Sequence, residues 1–210
     1  MADWATISSL ATAGGTLVLA VATFASVRSA NRSARVAEVA LQEQRRPLLM
    51  QSRATDPPET VPFAGDHWMT VAGGGAAVDA FAEAVFLGLS VRNVGAGIAV
   101  LQGWYPHPTR ATSREPPPEV DQFRPLLRDQ YVASGDTGLW QGSVRDPTDP
   151  LHAALTDAAT KRQSFSVDLL YSDQVGGQRT ISRFGFLPGE DGTWVGGAAR
   201  HWYLDAISPR

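Results

Sequence analysis

From Ala5 to Val27 the chain runs about 23 residues without a formal charge, close to the ~20 that a helix needs to cross the hydrocarbon core of a bilayer. The span is apolar without being uniformly greasy: Thr6, Ser8, Ser9, Thr12, Thr16, Thr23 and Ser26 interrupt its Leu, Val and Ile. Helical spacing then continues to about Arg45, with Ala30, Ala34, Ala37, Val39, Ala40 and Leu41 set among Arg, Glu and Gln. That is roughly 40 residues, or ~60 Å at 1.5 Å per residue, longer than a small domain can bury. The pattern predicts a transmembrane anchor over 1–27 and a helical juxtamembrane stalk over 28–46. Pro47 stops the helix, because proline lacks the next donor and pushes its predecessor toward extended backbone.

Beyond Pro47 the texture changes to short alternating runs separated by Gly and Pro clusters, which reads as an all-β module. Strands are expected over 48–53, 67–71, 85–91, 98–105, within 131–144, and over 164–171, 179–187 and 194–204. In the clearest of them Val85, Leu87, Leu89 and Val91 point one way and Phe86, Gly88, Ser90 and Arg92 the other. That strand and the next read as a hairpin or a short crossover, turned by Asn93-Val94-Gly95-Ala96-Gly97. Residues 107–128, with Pro116-Pro117-Pro118 inside, read as a long loop. Asp149-Pro150 is a helix start, with Asp as cap and Pro at the first helical position. Leu151, Ala154, Leu155 and Ala158 then form an apolar stripe. The expectation is a mainly-β chain: an N-terminal transmembrane helix and stalk, then an immunoglobulin-like antiparallel β-sandwich over 47–210 with one short helix.

Charge fixes the expected orientation. Arg28, Arg32 and Arg35 follow the span at i, i+4 and i+7, on one helical face, where each gains ~1 kcal/mol from anionic headgroups. By the positive-inside rule they hold the C-terminal domain in the cytoplasm and leave a short N-terminus outside. A cleaved signal peptide would need a positive leading region, and Asp3 is the sole charge before the span. Ala11 and Gly15 form a small-xxx-small pair that would let two such helices approach closely. Elsewhere the net charge of -3 and the absence of a further basic run give no reason to expect nucleic acid. With no cysteine in the chain, disulfides and thiolate zinc sites are excluded.

Candidate chemistry is sparse. Gly95-Ala96-Gly97 starts a dinucleotide fingerprint, but the third glycine would fall at Val100 and the turn leads into a strand. No Walker, zincin, nucleophile-elbow or calcium-loop pattern occurs, so no catalytic, cofactor or metal residue is assigned and an enzyme is not expected. His67 and His201 stand in similar settings, each before a Trp, and could pair around a metal only if their strands were neighbours. Asp168, Asp173 and Asp205 suit backbone hydrogen bonds at turns and strand ends. Trp104, Trp140, Trp194 and Trp202 suit a sandwich core better than a stacking platform. Asn31-Arg32-Ser33 is a formal glycosylation sequon, without consequence on a cytoplasmic stalk.

The segments TLVLAVATFASVRSANRSAR, VRNVGAGIAVLQGW, LLYSDQVGGQRTISRF and RHWYLD, with Arg46-Pro47 closing the stalk, resemble a group of uncharacterised actinobacterial single-span membrane-anchored proteins with a β-rich C-terminal domain. The resemblance implies a bacterial plasma-membrane setting and brings no functional residue. The functional expectation is a membrane-anchored protein-interaction or assembly module, self-association included. A small-molecule sensor beneath residues 107–128 is the alternative, and a metal-dependent hydrolase on His67 and His201 the more remote one.

Overall fold

A computed structural model describes residues 3–205, with residues 4–7, 11 and 127 described by their backbone alone. The chain divides into two compact units, Met1–Glu43 and Gln44–Arg210.

The first unit is a single uninterrupted helix, α1 (Trp4–Gln44). By length and composition Ser8–Gln44 is a helix able to cross a membrane, and none of its most apolar stretch is buried. Leu17, Val18, Leu19, Val21 and Phe24 lie on different sides of the helix and are each more than three-fifths exposed. A helix apolar all round needs an apolar surround. The hydroxyls that dilute the span bond back one turn: Thr12 Oγ1 donates to the Ser8 carbonyl (2.9 Å), Thr16 to Thr12 (2.8 Å), Thr23 to Leu19 (2.7 Å) and Ser26 to Ala22 (2.8 Å). Bonded inward, these groups lose much of their cost in hydrocarbon. Ala11, half of the expected small-residue pair, falls among the side chains outside the description.

The second unit is built from antiparallel strands: β1 (Leu49–Gln51), β2 (Glu59–Phe63), β3 (His67–Val71), β4 (Gly75–Ala80), β5 (Val85–Asn93), β6 (Ala99–His107), β7 (Arg124–Val132), β8 (Thr137–Val144), β9 (Phe165–Ser172), β10 (Thr180–Pro188) and β11 (Trp194–Tyr203). One layer is built on β5, which pairs with β8 along one edge and with β4 and then β1 along the other. The opposing layer runs β7-β6-β9-β10. β11 joins the two, pairing along β10 and, at Trp194 and Val195, with β4. The β5–β6 connection is therefore a crossover between layers.

Between the layers Val85, Leu87, Leu89 and Val91 of β5 meet Phe165, Val167, Leu169 and Tyr171 of β9, with Leu101, Trp140, Phe184 and Phe186 among them. Each large side chain buried here contributes about 1.5–3 kcal/mol. The other face of β5 is covered as well. The β2–β3 hairpin lays Phe63, Met69 and Val71 over Phe86 and Ala84 as a second, smaller core. A Cβ on Gly88 would come within 2.8 Å of Val71 Cγ2 and 3.0 Å of Met69 Sδ, so glycine lets the hairpin close down. Phe86, Gly88 and Ser90, on the second side of the alternation, are thus buried.

The helix α2 (Pro150–Thr160) begins as the sequence predicts, with the Asp149 carboxylate accepting from Leu151 N–H at 2.9 Å. Its buried residues are His152, Leu155 and Ala158, while Leu151 and Ala154 are only half-buried. The segment expected as a loop over 107–128 is more ordered than that. His107 ends β6, Val120–Gln122 forms a 3-10 turn, and β7 starts at Arg124.

Candidate functional site

β7 and β8 are consecutive and joined by residues 133–136, yet they form no ladder with each other: β7 pairs with β6 and β8 with β5. They approach beside the turn, where a Cβ on Gly138 would lie 2.7 Å from Val132 Cγ2. Further along they diverge around a groove of about 560 Å³. Pro125 and Leu126 of β7, Trp104 of β6 and Gly142 of β8 supply its apolar lining, and Pro62 and Phe63 of β2, with Ala64 just after it, border it. Glycine is needed at 142, because a Cβ would meet Trp140 Cζ2 at 2.6 Å and Trp104 Cε2 at 3.2 Å.

The polar lining carries one sign of charge. Arg124, Arg128 and Arg145 border the groove together with Gln130, Gln141 and Ser143, and no carboxylate does. Arg124 is held from outside by Asp149 (2.5 Å) and lies 5.7 Å from the Trp104 ring. Burial pushes the Asp149 carboxyl up, but the Arg124 and Leu151 hydrogen bonds outweigh it and leave the carboxyl below its ordinary value. Arg145 donates to the Ala64 carbonyl and sits 5.4 Å over the Phe86 ring. Arg128 is exposed. The amide oxygens of Gln130 and Gln141 are closed off from solvent and have no donor, each at a cost of about 1–3 kcal/mol.

A second cluster fastens the 107–119 segment. Arg183 of β10 and Asp168 of β9 are cross-strand partners with no exposed surface. Their fork is bidentate, Nε to Oδ1 and Nη2 to Oδ2, both at 2.7 Å. His107 Nε2 lies 2.9 Å from Asp168 Oδ2. Arg183 also donates to the carbonyls of Thr112 (2.8 Å) and Glu115 (3.2 Å). Burial alone would raise the Asp168 carboxyl, but the Arg183 and His107 hydrogen bonds prevail and hold it below the ordinary value. With the Asp168 and Arg183 side chains forked together and fully buried, this is a structural clamp.

The remaining candidates are separated. His67 bonds Asp79 (2.9 Å) and stacks on Phe86 at 4.3 Å. His201 Nδ1 meets Ser182 Oγ (2.6 Å), which in turn meets the Tyr171 hydroxyl (2.7 Å). The two histidines share no partner, and among the described residues no cluster of three His, Asp or Glu could hold a metal. The Ser182–His201 pair has no reach to solvent through Ser182, which is fully buried. Asp173 accepts from Gly177 N–H within its turn, and Asp205 accepts a fork from Arg179. Trp140 is fully buried and Trp104 nearly so, packed edge to face at 5.4 Å. Trp194 is buried too, and Trp202 is flanked by Arg183 and Arg200.

The groove was not visible in the sequence, because two of its arginines lie on β7 and the third just past the end of β8, within a chain of net charge -3. No protein-family model matches the chain, and neither does any curated protein. A solved Bordetella pertussis structure, of a protein called ApaA, aligns with 71% of this chain and 94% of its own at 12% identity. Its TM-score of 0.22 is too low for any argument from it.

Proposed function

We propose that this chain is a single-pass membrane protein that presents its β-sandwich in the cytoplasm as a partner-binding module. The observation that carries the reading is the uncharged first part of α1: large apolar side chains on several sides, unburied, with four of its hydroxyls bonded to its own carbonyls. In water those side chains would be left exposed; in hydrocarbon they are solvated. Arg28, Arg32 and Arg35 then stand at the anionic inner surface and set the orientation. The domain supplies what a partner could grip, an open groove with unpaired strand edges, while its buried histidines and carboxylates are spent on packing.

A C-terminal fusion to a reporter that is active only in the cytoplasm tests the orientation. Activity is expected with the native arginines and loss of activity when Arg28, Arg32 and Arg35 are all changed to Glu. An inactive fusion on the native chain would refute the cytoplasmic placement. A small-molecule sensor beside Trp104 would use the same groove, which that side chain lines.

A further inference from the structure

We infer that the seam between β7 and β8 receives an extended, acidic segment of a partner protein, which adds to β8 as a further strand. This deepens the partner-binding reading by naming the chemistry of the partner.

The edge comes first. β8 pairs with β5 from Thr137 to Val144 without a register shift, so its outer backbone groups alternate toward the seam at the regular antiparallel spacing. Among the described residues no backbone hydrogen bond from a turn or loop reaches them. The opposite wall is broken: β7 loses register with β6 between Leu101 and Gly103, and Pro125 interrupts it as a donor. A new strand therefore pairs with β8, and β7 contributes side chains.

Those side chains define what fits. Trp104, Leu126 and Gly142 lie on the inner side of the seam and accept small apolar residues. Arg124, Arg128 and Arg145 ring the opening, and Asp149 offsets only one of them. Guanidinium forks bind carboxylates bidentately. Since alternate residues of a strand face opposite ways, the fitting sequence alternates apolar and acidic positions. Edge charges also serve elsewhere to prevent unwanted pairing, and the test separates the two roles.

The full chain in phosphatidylcholine nanodiscs is titrated into a fluorescein-labelled hexapeptide alternating Val and Glu, about 20 Å long when extended. Saturable anisotropy is expected, with affinity at least tenfold weaker for the Val-Lys peptide. A Val-Glu peptide N-methylated at alternate amides, which cannot complete the ladder, should also bind at least tenfold more weakly. Arg128→Glu should weaken the Val-Glu peptide tenfold or more, and Arg128→Gln by a smaller factor, with unchanged near-UV circular dichroism. No saturation below 1 mM overturns the proposal and leaves the arginines as edge guards. Undiminished binding of the N-methylated peptide overturns strand addition in favour of a small anion site. Dimers that dissociate with Arg128→Glu would make a second copy the occupant and equally overturn it. None of these outcomes bears on membrane insertion, which fractionation and the reporter fusion read separately.

Discussion

Replacing Asp168 or Arg183 singly should cost far more than replacing both. Both side chains are fully buried and joined by two hydrogen bonds of 2.7 Å. Asp168→Leu leaves a guanidinium in the interior with only carbonyls, His107 and the Trp202 ring around it, which costs about 3–5 kcal/mol. Arg183→Met strands the carboxylate and also removes the donor to Thr112 and Glu115, so its cost should reach the upper part of that range. In the pair Asp168→Leu with Arg183→Met no buried charge remains. The loss should then fall to about 2 kcal/mol, chiefly from loop carbonyls left without a donor. The assay is urea unfolding of the full chain in micelles, followed by tryptophan fluorescence, for the four members of the cycle. Amide exchange should speed up at Ala111, whose N–H is held by Ser166 Oγ at 3.2 Å. The sign with pH follows from the depressed Asp168 carboxyl. Its contribution is complete above the ordinary carboxylate value, is lost as pH falls through the lowered one, and is missing from Asp168→Leu. Single losses below about 1 kcal/mol, or an additive cycle, would refute the clamp.

Asn93 has no exposed surface, accepts from Leu48 and Gly95 N–H at 3.1 and 3.0 Å, and donates to the Gly97 and Val132 carbonyls at 2.6 and 3.0 Å. Asn93→Ala should therefore cost about 3 kcal/mol in the same unfolding assay. Tyr171 is pushed up to about 12 by burial, against 10.0 unperturbed. The unfolded chain loses that proton first, so stability is intact below pH 10 and declines by about 2–3 kcal/mol toward pH 12. Comparing urea midpoints at pH 9 and 11.5 should show a decline steeper than in Tyr171→Phe. Gly142→Ala should cost about 1–3 kcal/mol by driving a methyl into the Trp104–Trp140 pair, and should alter near-UV circular dichroism.

Alternation made the central strands legible. β5, β9, β10 and β11 fall where the period-2 runs place them, and Asp149-Pro150 marked α2 to the residue. β2 and β4 escaped because Pro62 argues against a strand and Gly75-Ala76-Ala77 carries little β-propensity. Both are held by tertiary packing, through Phe63 on Phe86 (4.9 Å) and through the edge of β5. Residues 107–119 read as a free loop because their anchor, Arg183, lies far along the chain on a strand whose register was unknown. His152 replaced Leu151 in the buried stripe because the helix is rotated from the phase that its apolar residues suggest. The seam was invisible for a different reason: the first half of β7 reads as part of the 107–128 loop, and only the topology shows that β7 and β8 are separate strands that each pair elsewhere.

The account stands or falls on where the first forty or so residues reside. Membranes from cells making the full chain should keep it after a carbonate wash. Protease added to intact spheroplasts should leave the β-sandwich whole and digest it only after lysis. Recovery in the washed supernatant, or digestion before lysis, would contradict the membrane-anchored cytoplasmic module proposed for this protein.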